Sequence, residues 1–358
     1  MTRHTLLSTG TPLLVAAGAV FALGDLNPPA GSVTATGKRL TELEPRIAVN
    51  ATNTPGDATA LFVISQPGSY YLTERVSGVS GKCGIKIAVN EVTLDLGGFE
   101  LVGGVGSTQG ILISGIRASV RIRNGSIVGW SSEGVAGVSD NSAFEDLVLR
   151  NNGSWGINGR DSFALRIEGC TAFSNGFNIS ATGGIIGGRH ASLIVNCSSA
   201  LNFGDGIYAD TGSSVIDSVS SRNTASGFLL TTNCTLVDSN AYGNNGNGIL
   251  CTSDCVVRGN LASDNGFGSG IAANIYVVGS DNRVEDNSCN TADKGIEVDG
   301  TGNVILRNTC SGNTTNWDIV AGNALAPIVS ATTNAAAVLG GTYAGSLGST
   351  DANANFTY

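Results

Sequence analysis

A glycine followed by an aliphatic residue or phenylalanine recurs along this chain, and this repeat constrains the fold more than any other feature. The pairs begin at Gly84, Gly110, Gly134, Gly156, Gly184, Gly206, Gly227, Gly248, Gly270 and Gly295. Subtraction gives steps of 21 to 28 residues. An asparagine column keeps the same pace, at Asn202, Asn223, Asn244 and Asn265. Self-similarity of this kind is typical of an architecture in which each repeat stacks on the next.

The segments between the glycines predict strands and not helices. Each repeat holds a second apolar run, such as Leu193-Ile194-Val195, and Gly, Asn, Ser and Asp separate the runs. These short runs of Val, Ile and Leu lack the i, i+3, i+4 pattern of a helix. The Leu-x-x-Leu-x-Leu consensus of leucine-rich repeats is absent from the sequence. The period therefore fits a parallel β-helix, with asparagine at the bends and stacked side-chain amides bonded from coil to coil.

Coils such as Asn244-Asn245-Gly246-Asn247-Gly248-Ile249 resemble the repeats of the pectate-lyase-like superfamily, over roughly residues 80–320. The segment 66–72 (QPGSYYL) and the ending 352–358 (ANANFTY) are similar to a group of secreted bacterial β-helix proteins without an assigned activity. The resemblance implies an all-β, single-stranded, right-handed parallel β-helix of about ten coils with a cap at each end. It implies no single function, because the superfamily contains lyases, hydrolases, epimerases, adhesins and inert scaffolds.

The two ends of the chain differ from the repeats. Arg3 and His4 precede an apolar run at residues 12–23 (PLLVAAGAVFAL), which predicts a signal peptide over residues 1–24 and secretion to the periplasm or beyond. A buried N-terminal helix is the alternative. We expect a linker at 25–39, an N-terminal cap at 40–80, the β-helix at 81–320 and a tail at 321–358. The tail is uncharged between Asp318 and Asp351, so we expect it to lie on the solenoid, with disorder as the alternative.

Composition excludes some partners. Charged residues make up 13% of the chain and the net charge is −9, with no basic stripe. Nucleic acid is therefore not an expected partner, since its phosphates require clustered Lys and Arg. The apolar run near the N-terminus is shorter than the roughly 20 residues of a membrane span, and no other segment of the sequence predicts one.

Six of the eight cysteines occupy matching positions on neighbouring coils. The pairs are Cys170 with Cys197, Cys234 with Cys255, and Cys289 with Cys310. Coils about 4.8 Å apart fall within the Cα spacing that a disulfide permits. The pairs are therefore disulfide candidates, and a stack of buried free thiols is the alternative. The spacings favour neither zinc nor a CxxC redox site.

The resemblance directs the search for catalytic residues to the position before each Gly-Ile pair. Pectin-hydrolysing relatives carry carboxylates there on consecutive coils, and Asp205 is the candidate acid of this chain. Its neighbours in that column, Gly183 and Ser226, supply no second carboxylate, and hydrolysis needs two. His190 does not lie in the Gly-His-Gly motif of those relatives. The sequence therefore disfavours a glycoside hydrolase.

A lyase requires a cation for the sugar carboxylate and a basic residue. Asp217 and Asp238 lie 21 residues apart, with Asn196 in the preceding coil, so the three are candidate ligands of Ca²⁺. Arg189 and Arg222 are the candidate bases. The alternative for the acidic pair is an ordinary bend, where Asp replaces Asn at little cost. No cofactor other than this candidate Ca²⁺ is expected.

An outward stripe should follow from strand alternation. The residue after each Gly-Ile pair points away from the core, and these positions hold Asn158, Ile186, Tyr208, Leu229, Leu250 and Ala272. Tyr208, Leu229 and Leu250 are candidate ligand-binding residues. We expect something to cover an apolar stripe of this kind: the C-terminal tail first, otherwise a second subunit or a sugar.

Two functions remain after these considerations. The first is a secreted scaffold or binding module that faces a polysaccharide or a cell-surface partner, as a monomer or as a homo-oligomer through the stripe. The alternative is an enzyme acting on polysaccharides, a calcium-assisted uronate lyase before a hydrolase. The scarcity of Lys and His and the absence of a clustered acid–base set favour the non-catalytic module.

Overall fold

Each sequence repeat forms one coil of a solenoid. The computed structural model describes residues 45–178, 182–266, 272–331, 333–334, 337–340 and 345–358. The predicted signal peptide (1–24), the linker (25–39), the first residues of the cap (40–44) and the pair Gly270-Ile271 lie outside these residues. Residues 46–358 cluster as one unit. In the described part of the chain all regular elements are β-strands, and none of it forms a helix long and apolar enough to cross a membrane.

One strand of each coil belongs to a twelve-stranded parallel sheet, which we call the smaller sheet. Its strands are Ala60–Ile64, Cys83–Ile87, Ile111–Ile113, Val135–Ala136, Ile157–Asn158, Ile185–Ile186, Ile207–Ala209, Phe228–Leu230, Ile249–Cys251, Ala273–Val277, Lys294–Val298 and Thr315–Ile319. The register aligns the aliphatic residues of the repeat, so that Ile207 lies between Ile185 and Phe228. The predicted parallel β-helix is therefore confirmed, with about twelve coils instead of ten.

The other strands form a 24-stranded parallel sheet, which we call the larger sheet. Its strands are Ile47–Ala48, Gly68–Tyr71, Val76–Ser77, Val92–Asp95, Glu100–Val102, Val120–Val128, Ala143–Arg150, Arg166–Glu168, Thr171–Phe173, Leu193–Val195, Ser198–Ala200, Ser214–Ile216, Val219–Ser221, Thr235–Val237, Asn240–Tyr242, Val256–Arg258, Leu261–Ser263, Arg283–Glu285, Ser288–Asn290, Val304–Leu306, Thr309–Ser311, Ala324–Leu325, Ile328–Ser330 and Asn355–Thr357. Arg117–Ala118 and Ser139–Asp140 form a separate pair. Strands of both sheets already occur within residues 40–80, which the sequence assigns to the cap.

The predicted asparagine ladder is present and lies in the core. Asn202, Asn223, Asn244 and Asn265 are buried. Each side-chain amide donates to the side-chain oxygen of the next, at 2.9 Å from Asn202 to Asn223, 3.0 Å from Asn223 to Asn244 and 2.9 Å from Asn244 to Asn265. The columns therefore align as the 21-residue spacing predicts, and the ladder pairs polar groups that would otherwise be buried without partners.

The coil after Cys251 departs from the predicted repeat. Its strand is Ala273–Val277, in which Ile275 pairs with Ile249 and Ile296. The apolar position of this coil therefore belongs to Ile275, and Asn274 stands in the place of the glycine. The prediction that Ala272 belongs to the outward stripe is wrong, because Tyr276 pairs with Leu250.

The end of the tail extends the larger sheet. Asn355–Thr357 pairs with Thr309–Ser311 and with Ile328–Ser330. The buried Asn355 side chain accepts a hydrogen bond from the side-chain amide of Asn308 at 3.2 Å, which prolongs a second asparagine ladder. Every described tail strand belongs to the larger sheet, and none of them belongs to the smaller sheet that carries the outward stripe.

Candidate functional site

The outward residues of the smaller sheet form one continuous row. Alternation buries Ile207 and Ala209 in the core and turns Tyr208 outward, where it is half-buried. Tyr208 pairs with Ile186 on one side and with Leu229 on the other, and Leu229 pairs with Leu250. Ile186 is buried, and we call the three partly exposed residues of this row, Tyr208, Leu229 and Leu250, the Tyr208 face. Ligand binding by Tyr208, Leu229 and Leu250 stays a prediction.

Charged side chains gather beside Tyr208 at the corner that follows the smaller sheet. The guanidinium of Arg160 lies 5.6 Å from the centre of the Tyr208 ring. The Nε of Arg189 lies 3.3 Å from Oδ1 of Asp161 and 3.5 Å from Oδ2 of Asp210. Corners on consecutive coils thus bring an aromatic ring, two arginines and two carboxylates together on one surface.

Two more side chains extend this cluster. The rings of Phe163 and His190 stack with their centroids 5.4 Å apart, and both residues are exposed. Phe163 forms a parallel bridge with Arg189, which fixes this corner to the next coil. The pair adds an exposed aromatic surface next to the charged groups.

The ionisation of the cluster follows from burial and from hydrogen bonds. Burial raises the pKa of Asp205, although Oδ1 of Asp205 accepts the backbone N–H of Ser226 at 2.9 Å. Burial also raises the pKa of Tyr208, and the charge of Asp210 adds to the effect. Burial alone would raise the pKa of Asp210, but hydrogen bonds from the Thr211 backbone and the Thr231 hydroxyl hold it below its ordinary value. The pKa values of Asp205 and Asp210 are thus shifted in opposite directions.

The structure separates the predicted catalytic residues. Asp205 lies close enough to Tyr208 for its charge to act on the phenol, and Arg189 joins the cluster through Asp210. Arg222 lies at a different corner, where its guanidinium is 5.9 Å from the centre of the Tyr242 ring. Arg189 is engaged in ion pairs with Asp161 and Asp210.

The three predicted calcium ligands occupy a bend within the larger sheet. Asn196, Asp217 and Asp238 have φ angles of 53°, 50° and 51°. Asp and Asn tolerate this left-handed conformation better than most residues, so the bend by itself explains their presence. In the described ranges no group of three or more His, Cys, Asp or Glu side chains is placed to share a metal. Calcium binding by Asn196, Asp217 and Asp238 stays a prediction.

The paired cysteines stack inside the solenoid as the columns predict. Cys289 and Cys310 are direct partners in the register. Cys170 and Cys197, and likewise Cys234 and Cys255, each precede paired residues of adjacent strands. All eight cysteines are buried and free in this structure, and the oxidation of the three pairs to disulfides stays a prediction.

Sequence reasoning missed Arg160, Asp161 and Asp210, although a signal for two of them is present. Arg160 and Asp210 each lie three residues after the aliphatic member of a Gly-Ile pair, at Ile157 and Ile207. Residues at one offset in different coils lie in one column along the solenoid. A comparison of the residues at this offset, in addition to those of the outward stripe, could therefore have identified Arg160 and Asp210.

Comparisons with known proteins agree with the observed fold. Residues 109–262 match the family model described as a right handed beta helix region. The tailspike protein of E. coli bacteriophage HK620, solved with a pentasaccharide, is similar with a TM-score of 0.53 and 14% identity over 74% of this chain. The alignment spans 58% of the tailspike chain. The described residues therefore have the parallel β-helix fold, in agreement with the right-handed β-helix that the sequence resemblance implies.

Two other solved structures are more distant. The A-module of the Azotobacter vinelandii mannuronan C-5 epimerase has a TM-score of 0.49 and 17% identity, with 72% of this chain and 90% of that chain covered. The Streptococcus pneumoniae surface adhesin PfbA has a TM-score of 0.43 and 10% identity, with 73% and 83% covered. A search of curated proteins finds no match.

Proposed function

We propose that this protein is a secreted binding module that holds an acidic polysaccharide against the Tyr208 face. The observation that carries the proposal is the half-buried ring of Tyr208 with the guanidinium of Arg160 beside it, on a rigid ladder of paired strands. An aromatic ring offers a flat apolar surface to a sugar, and a guanidinium is suited to a carboxylate. Arg160 has no ion-pair partner within the described residues, so its charge is available to a ligand.

The solved tailspike supports a polysaccharide partner only by analogy of fold, since that protein was solved in complex with a pentasaccharide. The chemistry of this site supports binding over turnover. Hydrolysis of a glycosidic bond needs two carboxyl groups on either side of it. Asp205 has a raised pKa, but the other carboxylates of the cluster, Asp161 and Asp210, are paired with Arg189.

Electrophoresis of the full chain through native gels that contain polygalacturonate tests this proposal. We expect the polymer to retard the wild-type protein and to retard Tyr208→Ala much less. Tyr242→Ala is the matched control, because Tyr242 is also a partly exposed tyrosine beside an arginine but lies on the other sheet. Equal retardation of the wild type and Tyr208→Ala would contradict the assignment of the site.

The second candidate function is a calcium-assisted uronate lyase, which the raised pKa of Asp205 beside Tyr208 favours. Elimination removes the proton next to the sugar carboxylate, breaks the glycosidic C–O bond and leaves an unsaturated uronate end. Incubation of the full chain with polygalacturonate and Ca²⁺ distinguishes the functions by ultraviolet absorbance. A rise that Asp205→Asn abolishes would establish the lyase, and binding without a rise supports the module.

A further inference from the structure

A groove runs along the corner where each coil returns from the larger sheet to the smaller one. Its first part has a volume of about 500 Å³. The residues that line it are Leu201, Arg222, Tyr242, Gly243, Asn245 and Asp264. A second hollow of about 410 Å³ shares Asp264 and continues past Asp293 to Thr314. We call the two parts together the Tyr242 groove.

Backbone conformation shapes the floor of this groove. The floor consists of the residues that directly follow the second strand of each coil in the larger sheet, and successive members lie one coil apart, about 4.8 Å. They are Leu201, Arg222, Gly243, Asp264, Thr291 and Gly312, with φ angles of 55°, 52°, 64°, 55°, 53° and 64°. Glycine relieves the strain of this conformation at two of the six positions and leaves the floor there without a side chain. The floor of the groove is therefore open at Gly243 and Gly312.

Four polar side chains of the groove have no polar side-chain partner among the described residues, whereas Asn265 in the same lining belongs to the asparagine ladder. Arg222, Asn245, Asp264 and Asp293 make no side-chain hydrogen bond or ion pair within the described part of the chain. Tyr242 is 40% exposed and Leu201 is 43% exposed, so apolar surface lies open beside them. A concave surface that combines exposed apolar groups with a few unpaired polar ones has the character of a ligand site.

We propose that the Tyr242 groove is a second carbohydrate site and takes a neutral oligosaccharide. The apolar face of a pyranose ring fits against Tyr242 and Leu201, while its hydroxyl groups can bond to Asn245 and Asp264. The coil spacing is close to the length of one pyranose in an extended glycan, so successive sugars meet equivalent positions. The groove contains two carboxylates, Asp264 and Asp293, but a single arginine, Arg222. Its net charge is therefore negative and repels an anionic ligand.

Calorimetric titration of the full chain with cellohexaose, maltohexaose and mannohexaose tests the proposal. We expect at least one hexaose to bind, and Tyr242→Ala to weaken its binding by about tenfold or more, the factor that follows from losing much of one buried aromatic contact. Tyr242→Phe keeps the ring and should retain most of the affinity, which separates loss of stacking from misfolding. Tyr208→Ala is the matched control and should bind the hexaose like the wild type.

This inference does not depend on binding at the Tyr208 face, so the two proposals fail separately. Absence of binding by all three hexaoses would overturn it, as would equal affinity of the wild type and Tyr242→Ala. Trigalacturonate that binds at Tyr242 in their place would overturn the neutral ligand class. A hexaose that loses affinity only in Tyr208→Ala would assign binding to the Tyr208 face and overturn the groove.

Discussion

The Tyr208 face and the Tyr242 groove present similar pairs of residues in different surroundings. In each region an arginine guanidinium lies near a tyrosine ring, at 5.6 Å for Tyr208 and 5.9 Å for Tyr242. Beside Tyr208 the neighbouring charges pair with one another, as Arg189 does with Asp161 and Asp210. Beside Tyr242, Asp264 has no such partner within the described residues.

This difference teaches that one repeat can build two kinds of surface. Charges that pair within the protein hold a corner in place, and a ligand must displace or bypass them. Charges that remain solvated contribute little to folding and can form hydrogen bonds to a ligand without first losing a protein partner. The Tyr208 face thus lies beside a corner of paired charges that also holds one arginine, Arg160, that is unpaired within the described residues. The Tyr242 groove instead combines unpaired polar side chains with a floor that lacks side chains at Gly243 and Gly312.

The largest expected loss of stability distinguishes a hydrogen-bonded asparagine of the buried ladder from an unpaired asparagine that lines the groove. The buried Asn223 amide donates to the backbone oxygen of Ser199 and to Asn244, and its oxygen accepts from Asn202. Asn223→Ala leaves several buried groups without partners, so we expect the free energy of unfolding to fall by about 3–5 kcal/mol. Urea denaturation followed by circular dichroism measures it.

Asn245→Ala is the matched control for that variant. Asn245 lies on the next coil, and its side chain has no hydrogen bond in the described chain. We expect a change within about 0.5 kcal/mol. Similar losses in the two variants would show that Asn245 is engaged, and the contrast between ladder and groove would then disappear.

The ladder was predictable from sequence, whereas the ends of the solenoid were not. A constant 21-residue step requires Asn202, Asn223 and Asn244 to stack whatever the details of the coils. The first coil lacks the glycine mark, because Phe62 pairs with Ile85 and Leu61 therefore stands in the place of Gly84. The pair at Gly270 misled the prediction, because the core position of that coil belongs to Ile275.

The candidate sites were predictable only where strands determine them. Alternation places Tyr208 outward, so its position followed from the repeat. The partners of Arg189 depend on how corner residues turn their side chains, which a period does not specify. The Tyr242 groove is open because Gly243 and Gly312 carry no side chain. A search of the sequence for reactive or binding side chains does not detect such positions.

A smaller loss of stability is expected when Asp210, the paired carboxylate beside the Tyr208 face, is replaced. Asp210 accepts the backbone N–H of Thr211 at 2.7 Å and lies 3.5 Å from Arg189, and its pKa is below the ordinary value. A carboxyl with a lowered folded-state pKa stabilises the fold above its unfolded pKa of about 3.9, and this contribution is lost as the pH falls through the folded value. Asp210→Asn should therefore lower the free energy of unfolding at pH 7 by about 1–2 kcal/mol.

Thermal unfolding at a series of pH values checks the sign of this effect. The melting temperatures of the wild type and Asp210→Asn should differ most near neutral pH and converge at acid pH, where the wild-type carboxyl is protonated. A difference that grows on acidification would contradict the assignment of Asp210 as a stabilising anion.

The smallest change in stability is expected from an aspartate-to-asparagine substitution in the Tyr242 groove. Asp264 has a φ of 55°, a conformation that Asn tolerates as well as Asp, and its carboxylate has no partner in the described ranges. Asp264→Asn should therefore change the free energy of unfolding at pH 7 by less than about 0.5 kcal/mol. If it costs as much as Asp210→Asn and shows the same pH dependence, Asp264 is held by the protein. The groove would then lack the free acceptor on which sugar binding depends, because a ligand would have to break a protein contact before forming its own.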